Sequence, residues 1–170
     1  MWLLVIYEYF KISNKISLSI NAFLSGIICF GIFYIPKECQ LNKNIDQFVN
    51  NSTSVLSLLV GFTVAMFTLL ITASNPNIDK IKTENSGALL YKKPVSIFKT
   101  LLIRTVYIIL IESILLIFNL VYPFIFNSSD LNGKIFFGFD AFILSHIIIA
   151  SITNTVDLYF VLTKTDKKSQ

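Results

Sequence analysis

The chain is poor in the residues from which enzyme sites are usually made. Its 170 residues include one histidine and two cysteines. With His146 alone, a metal site built of several imidazoles is impossible within one chain. Cys29 and Cys39 would stand about 15 Å apart along a helix axis, too far for a disulfide between them. There is no Cys-x-x-Cys, His-Glu-x-x-His, phosphate-binding glycine loop or Gly-x-Ser-x-Gly. No nucleophile sits beside a base in recognisable context. A non-enzyme is therefore expected, with no catalytic residue, no metal ligand, no cofactor and no direct nucleic-acid partner. Charge is scarce as well, at 14% of residues, and the polar faces that a soluble core requires are missing. A bulky Ile28 precedes Cys29, which excludes a lipoprotein cleavage box. No small-residue cleavage site follows the first apolar run, which argues against a signal peptide.

What the chain has instead is apolar length. Hydrophobic residues make up 54% and mean hydropathy is +0.70, above what a soluble domain of this size carries. Crossing ~30 Å of hydrocarbon takes ~20 residues, and four runs qualify, at about 16–36, 54–74, 100–122 and 136–163. The short aromatic segment 1–11, with Trp2, Tyr7, Tyr9 and Phe10, suits the headgroup level. Basic residues gather at Lys11 and Lys15, through 80–104 and in the tail 164–170, whereas 37–52 and 123–135 carry few. By the positive-inside rule the first set is cytoplasmic. The expected fold is all-α: an integral membrane four-helix bundle of two antiparallel transmembrane hairpins, with both termini cytoplasmic. The Ile, Lys, Asn and Phe bias suggests an AT-rich bacterial genome, and so a cell inner membrane. The segment 37–52 is read as an external loop. Asn51-Ser52-Thr53 and Asn127-Ser128-Ser129 both fit glycosylation sequons on the external side.

The last two runs carry ionisable groups at hydrocarbon depth. Antiparallel helices keep a common depth where residue numbers add to a constant, and Arg104 with Asp157, Glu112 with His146 and Asn119 with Asp140 all add to about 259. That centre falls in the turn-forming 127–133 sequence. Arg104, Glu112 and Asn119 share one face within roughly 80°, and His146, Thr153 and Asp157 another within roughly 40°. Asp140 lies about 100° away and is expected to reach for the interface. Burial cost turns such groups towards protein or water. An inward polar seam of Arg104, Glu112, Asn119, His146, Thr153 and Asp157 is therefore expected, with Glu112 and His146 paired as either a structural lock or part of a conduit.

Two surfaces invite partners. In the second run Ser57, Gly61 and Ala65 form a small-x-x-x-small ladder, continued by Thr68 and Thr72, which permits close helix approach inside the chain or in a homo-oligomer. Ser17, Asn21 and Ser25 give the first run a similar polar packing face. The cytoplasmic stretch 75–99 is expected to start with a surface helix over 76–85, ended by Ser86-Gly87. Its Lys80, Lys82, Lys92 and Lys93 suit anionic membrane lipids or a soluble cytoplasmic partner.

The run from Gly61 to Ser74, followed by Asn75-Pro76 and a Lys-rich helix, resembles small four-span membrane proteins of bacterial anti-phage defence, among them the membrane subunit of the Kiwa system. The resemblance covers about 54–122. It implies an oligomeric membrane sensor or anchor that couples envelope events to a cytoplasmic effector, and assigns no binding residue. Two other readings remain open: a small ion channel or proton-coupled transporter with Glu112 and His146 in the conduit, and a pore-forming, toxin-like effector.

Overall fold

The computed structural model describes residues 2–34, 38–74, 76–125 and 131–163, with the side chains of all but 32–34, 38–44 and 131–134. These residues form six helices and one β-hairpin: α1 (Trp2–Ile12), α2 (Lys15–Tyr34), α3 (Glu38–Thr72), α4 (Pro76–Thr83), β1 (Asn85–Leu90), β2 (Lys93–Ser96), α5 (Ile97–Ile125) and α6 (Leu131–Thr163). Among the described residues three stretches are long and apolar enough to cross a membrane: Ile45–Thr72, Ile97–Ile125 and Ile135–Thr163. A fourth crossing arises if α1 and α2, bent by 108° where they meet, count as one broken span. The expected turn at 127–133 and the sequon at Asn127 fall largely outside the described residues, as do Pro36 and the tail from 164, and Cys39 lies among the side chains left aside.

A single stripe pattern builds the core. On α3 the inward positions are Ile45, Val49, Ser52, Leu56, Leu59, Thr63, Met66 and Leu70, alternating steps of four and three. On α5 they are Leu101, Thr105, Ile108, Glu112, Leu115, Asn119 and Tyr122, and on α6 Phe137, Asp140, Leu144, Ile147, Ser151, Asn154 and Leu158. Such a mean period of 3.5 residues keeps one seam facing its neighbours along a left-handed bundle. The three seams meet as alternating layers. Tyr122 and Phe137 pack with Ile45 and Val49 at one end. Leu56, Leu115, Leu144 and Ile147 fill the middle. Leu70, Leu101 and Leu158 close the other end with Ile78 and Ile81.

The α3 seam corrects the expectation of an external loop at 37–52. From Glu38 to Thr72 the chain has no proline and one glycine, and its buried side chains continue the stripe down to Ile45. Tertiary packing there outweighs the polar composition that suggested a loop. The Asn51-Ser52-Thr53 sequon consequently lies inside a helix, where the Ser52 and Thr53 hydroxyls both bond the Val49 carbonyl.

Around this trio the other helices find separate seats. α2 runs antiparallel to α6: Asn21 donates to the His146 carbonyl at 3.4 Å, and the Cys29 thiol to that of Gly138 at 3.3 Å. Of the hydroxyl and amide face expected on the first span, Asn21 meets the α6 backbone, Ser25 donates to Asn21 Oδ1 and Ser17 is exposed. α3 packs mainly on α5, so the consecutive helices α2 and α3 are not each other's main neighbours, in contrast to the first of the two expected hairpins. α5 and α6 do form a packed antiparallel pair. The remaining faces are apolar and exposed, including Phe23, Phe30, Ile117 and Phe160, as lipid contact requires.

The stretch 75–99 is folded. α4 buries Ile78 and Ile81 against α5 and α6, and Asn77 donates to the Leu162 carbonyl at 3.0 Å. The strands, absent from the sequence expectation, pair antiparallel with Leu90 opposite Lys93. The two-residue turn between them has φ of 52° at Tyr91 and 64° at Lys92, as a type I′ hairpin requires. Leu90 and Val95 enter the cluster of Tyr9, Ile12, Tyr107 and Ile108, and the Tyr91 ring lies 6.5 Å from that of Tyr7. α1, the α4–hairpin platform and the C-terminal end of α6 therefore share one end of the molecule.

Candidate functional site

The polar residues of the core fall into three layers, set by the helix seams. Farthest from the platform, Ser52, Asn119 and Asp140 meet. Asn119 Nδ2 donates to Ser52 Oγ at 2.7 Å, and all three residues are 2% exposed or less. Asn119 and Ser52 face the Asp140 carboxylate, yet neither of its oxygens closes a hydrogen bond of ordinary geometry among the described residues. In the middle layer Glu112 is fully buried. Its Oε1 accepts from Thr63 Oγ1 at 3.1 Å and Ser151 Oγ at 3.4 Å, while Oε2 has no partner among the described residues. Nearest the platform, Asn154 Nδ2 donates to Thr105 Oγ1 at 2.9 Å.

Arg104 and Asp157 close the column with an ion pair at 2.6 Å, in which the two side chains are 24% and 41% exposed. Solvent screening at that exposure leaves the pair a small stabilising role. It lies in a 380 Å³ cleft between α4, α5 and α6, which also holds Asn77, Lys80 and Glu84.

The expected pairing of Glu112 with His146 is corrected by these contacts. His146 Nε2 meets the Tyr107 hydroxyl at 3.1 Å, on the side of α6 turned towards α1 and α2. There both line a largely apolar 550 Å³ cavity with Phe10 and Leu18. Tyr107 in turn stacks on Tyr9 with ring centroids 3.6 Å apart. Numbering set the two level, but rotation about α6 separates them: the polar seam residue of α6 that reaches Glu112 is Ser151. Thr153 also leaves the seam, since it is exposed and bonds the Ile149 carbonyl of its own helix. Asp140, expected to reach for the interface, is instead 1% exposed. α6 touches α2, α3 and α5, so it has no single inward face against which angles can be measured.

The other expected surfaces separate. Ser57, Gly61 and Ala65 all point away from the neighbouring helices, and a Cβ added at Gly61 would meet nothing within 4 Å. Ser57, Thr68 and Thr72 bond carbonyls of their own helix, which lowers the cost of facing lipid. Lys82 binds Asp79 at 2.8 Å and lies over the Phe98 ring. Lys80 is exposed on α4, and Lys92 and Lys93 are exposed at the hairpin turn. Among the described residues no three of His, Cys, Asp and Glu converge as metal ligands.

Sequence reasoning missed Ser52, Thr63, Thr105, Tyr107, Ser151 and Asn154. The signal was available for half of them. Thr105, Glu112 and Asn119 repeat every seven residues, and a 3.5-residue stripe through Asp140 passes through Ser151 and Asn154. Comparison of the chain with protein families, with curated proteins and with solved structures found no match. Its own geometry defines it as a mainly helical chain of membrane type, carrying among the described residues three stretches able to span a bilayer.

Proposed function

We propose that this chain is a non-enzymatic, four-crossing membrane subunit that holds a folded platform against the cytoplasmic leaflet, where the platform engages a soluble partner. The resemblance to anti-phage defence membrane proteins likewise implies a membrane sensor or anchor coupled to a cytoplasmic effector. The observation that carries it is the packing of 76–96. A passive connection between crossings needs no core, yet Ile78 is 0%, Leu90 4% and Val95 4% exposed. The contacts of α1 with β1, and of Asn77 with Leu162, support placing both ends on the platform side. The basic residues at that end support a cytoplasmic assignment. Oligomers then form through the outward Ser57-Gly61-Ala65 face, where small side chains let backbones approach.

A conduit through Glu112 and His146 within one protomer has less support. The two residues face different neighbours, and the Leu56, Leu115, Leu144 and Ile147 layer separates Glu112 from Asp140.

The test is gentle native purification of the full chain, recording assembly mass and companion proteins. An oligomer that falls to protomers in Gly61→Leu, together with a stoichiometric companion lost in Lys92→Glu/Lys93→Glu, is the expected result. A monomer without companions, or ion flux from the purified protein in liposomes, would replace this reading.

A further inference from the structure

All five buried side-chain atoms that lack a hydrogen-bond partner among the described residues are oxygens, and three of them, Asn119 Oδ1 and both Asp140 oxygens, belong to one layer. The donors of that layer are largely committed. The single Ser52 hydrogen lies towards the Val49 carbonyl at 2.9 Å with the Asp140 carboxylate as its competing acceptor, and Asn119 Nδ2 spends one N–H on Ser52 Oγ, which leaves one N–H for the carboxylate and none for Asn119 Oδ1. Surplus buried acceptors call for a positive group between them. The middle layer differs. Glu112 spends Oε1 on two hydroxyls and leaves one orphan oxygen, which a single donor would complete.

We propose that Ser52, Asn119 and Asp140 form a binding site for a monovalent alkali cation of the sodium class. The donor set is all oxygen and comes from three helices, as a hard cation prefers, with neither the sulfur nor the imidazole that softer metals select. One carboxylate balances one positive charge, whereas a divalent ion such as calcium takes six to eight oxygens and usually several carboxylates. Depth also suits a site that exchanges with water. From the ends of the apolar stretches at Ile45, Ile125 and Ile135, the three residues lie only about 8–10 Å in at 1.5 Å per residue, and Glu112 about 20 Å. Among the described residues, the charged and titratable groups near the layer are Asp46 on α3, which is exposed, and Tyr122 on α5. Asp46 adds negative potential on the approach.

The experiment uses the full chain in detergent, with sodium exchanged for choline at fixed ionic strength and pH while thermal unfolding is followed. The expected result is a saturable rise in Tm with sodium. Asp140→Asn abolishes it, and Thr153→Ala, exposed and outside the layer, leaves it intact. Direct binding of radioactive sodium to the unaltered protein, which does not depend on the folding of Asp140→Asn, provides the second measurement, with saturation near one ion per protomer expected. Absence of both responses overturns the site. So does a folded Asp140→Asn that keeps the sodium shift. A Tm that follows pH and ignores sodium assigns the acceptors to a proton and likewise overturns it.

Discussion

Replacing Glu112 by leucine asks whether a buried carboxyl locks the bundle or is kept at a cost. Its visible bonds are two, from Thr63 at 3.1 Å and Ser151 at 3.4 Å, both to Oε1. Hydrogen bonds between membrane helices average about 0.6 kcal/mol in mutant cycles, so the two together contribute about 1 kcal/mol. Thr63 loses less than its share, because its hydroxyl already has the Leu59 carbonyl at 2.9 Å as an alternative acceptor. Against that loss stands the removal of a fully buried polar group whose Oε2 has no partner among the described residues. Exchanges of buried ionic groups for apolar ones of similar size are often neutral or stabilising. The expected change for Glu112→Leu is therefore within about 1 kcal/mol of zero. Reversible unfolding with sodium dodecyl sulfate in mixed micelles would measure it. A loss of about 3 kcal/mol or more, the range typical of breaking a buried ion pair, would refute the contact count and show an unseen partner on Oε2. A small change would mean that folding alone does not account for this residue.

Three further outcomes follow from the packing. Leu115→Ala, at 3% exposure, should cost about 2 kcal/mol through the cavity it leaves, while Ile117→Ala, at 62% exposure two residues on, should stay within about 0.5 kcal/mol in the same micelle titration. Lys92→Gly relieves a left-handed residue at φ 64° and should stabilise the hairpin by up to about 1 kcal/mol, read as slower amide exchange at Leu90 and Val95; faster exchange would contradict the turn assignment. Asp157→Asn should cost less than about 1 kcal/mol, since its ion pair with Arg104 is partly solvated, and its effect should shrink further as salt is raised.

Depth was legible in the sequence and rotation was not. Rise per residue is nearly invariant, so numbering alone put Arg104 level with Asp157 and Asn119 level with Asp140, and both pairs share a layer or a bond in the structure. Glu112 and His146 failed the same reasoning because α6 is surrounded: the imidazole found Tyr107 on one side, and the carboxyl found Thr63 on a third helix. The hairpin left little trace because Tyr91-Lys92 lacks the Asn-Gly signature of its turn, and because its order depends on Leu90 and Val95 meeting α1 and α5. The extra length of α3 was hidden for a related reason. Asn, Gln and Lys between Glu38 and Thr53 read as a loop until Ile45 and Val49 are seen to meet Tyr122 and Phe137.

The unequal spacing of polar residues along the three seams makes them work like a key with irregular notches. On α5 they recur at Thr105, Glu112 and Asn119, but on α6 at Asp140, Ser151 and Asn154. Sliding α5 by one heptad, about 10 Å, would set Glu112 against Asp140, two acids face to face. Sliding it the other way would strand Asp140 without its amide neighbour. Lipid-embedded helices have little hydrophobic force to hold their axial alignment, so the few hydrophilic side chains of this chain disfavour both of those shifts.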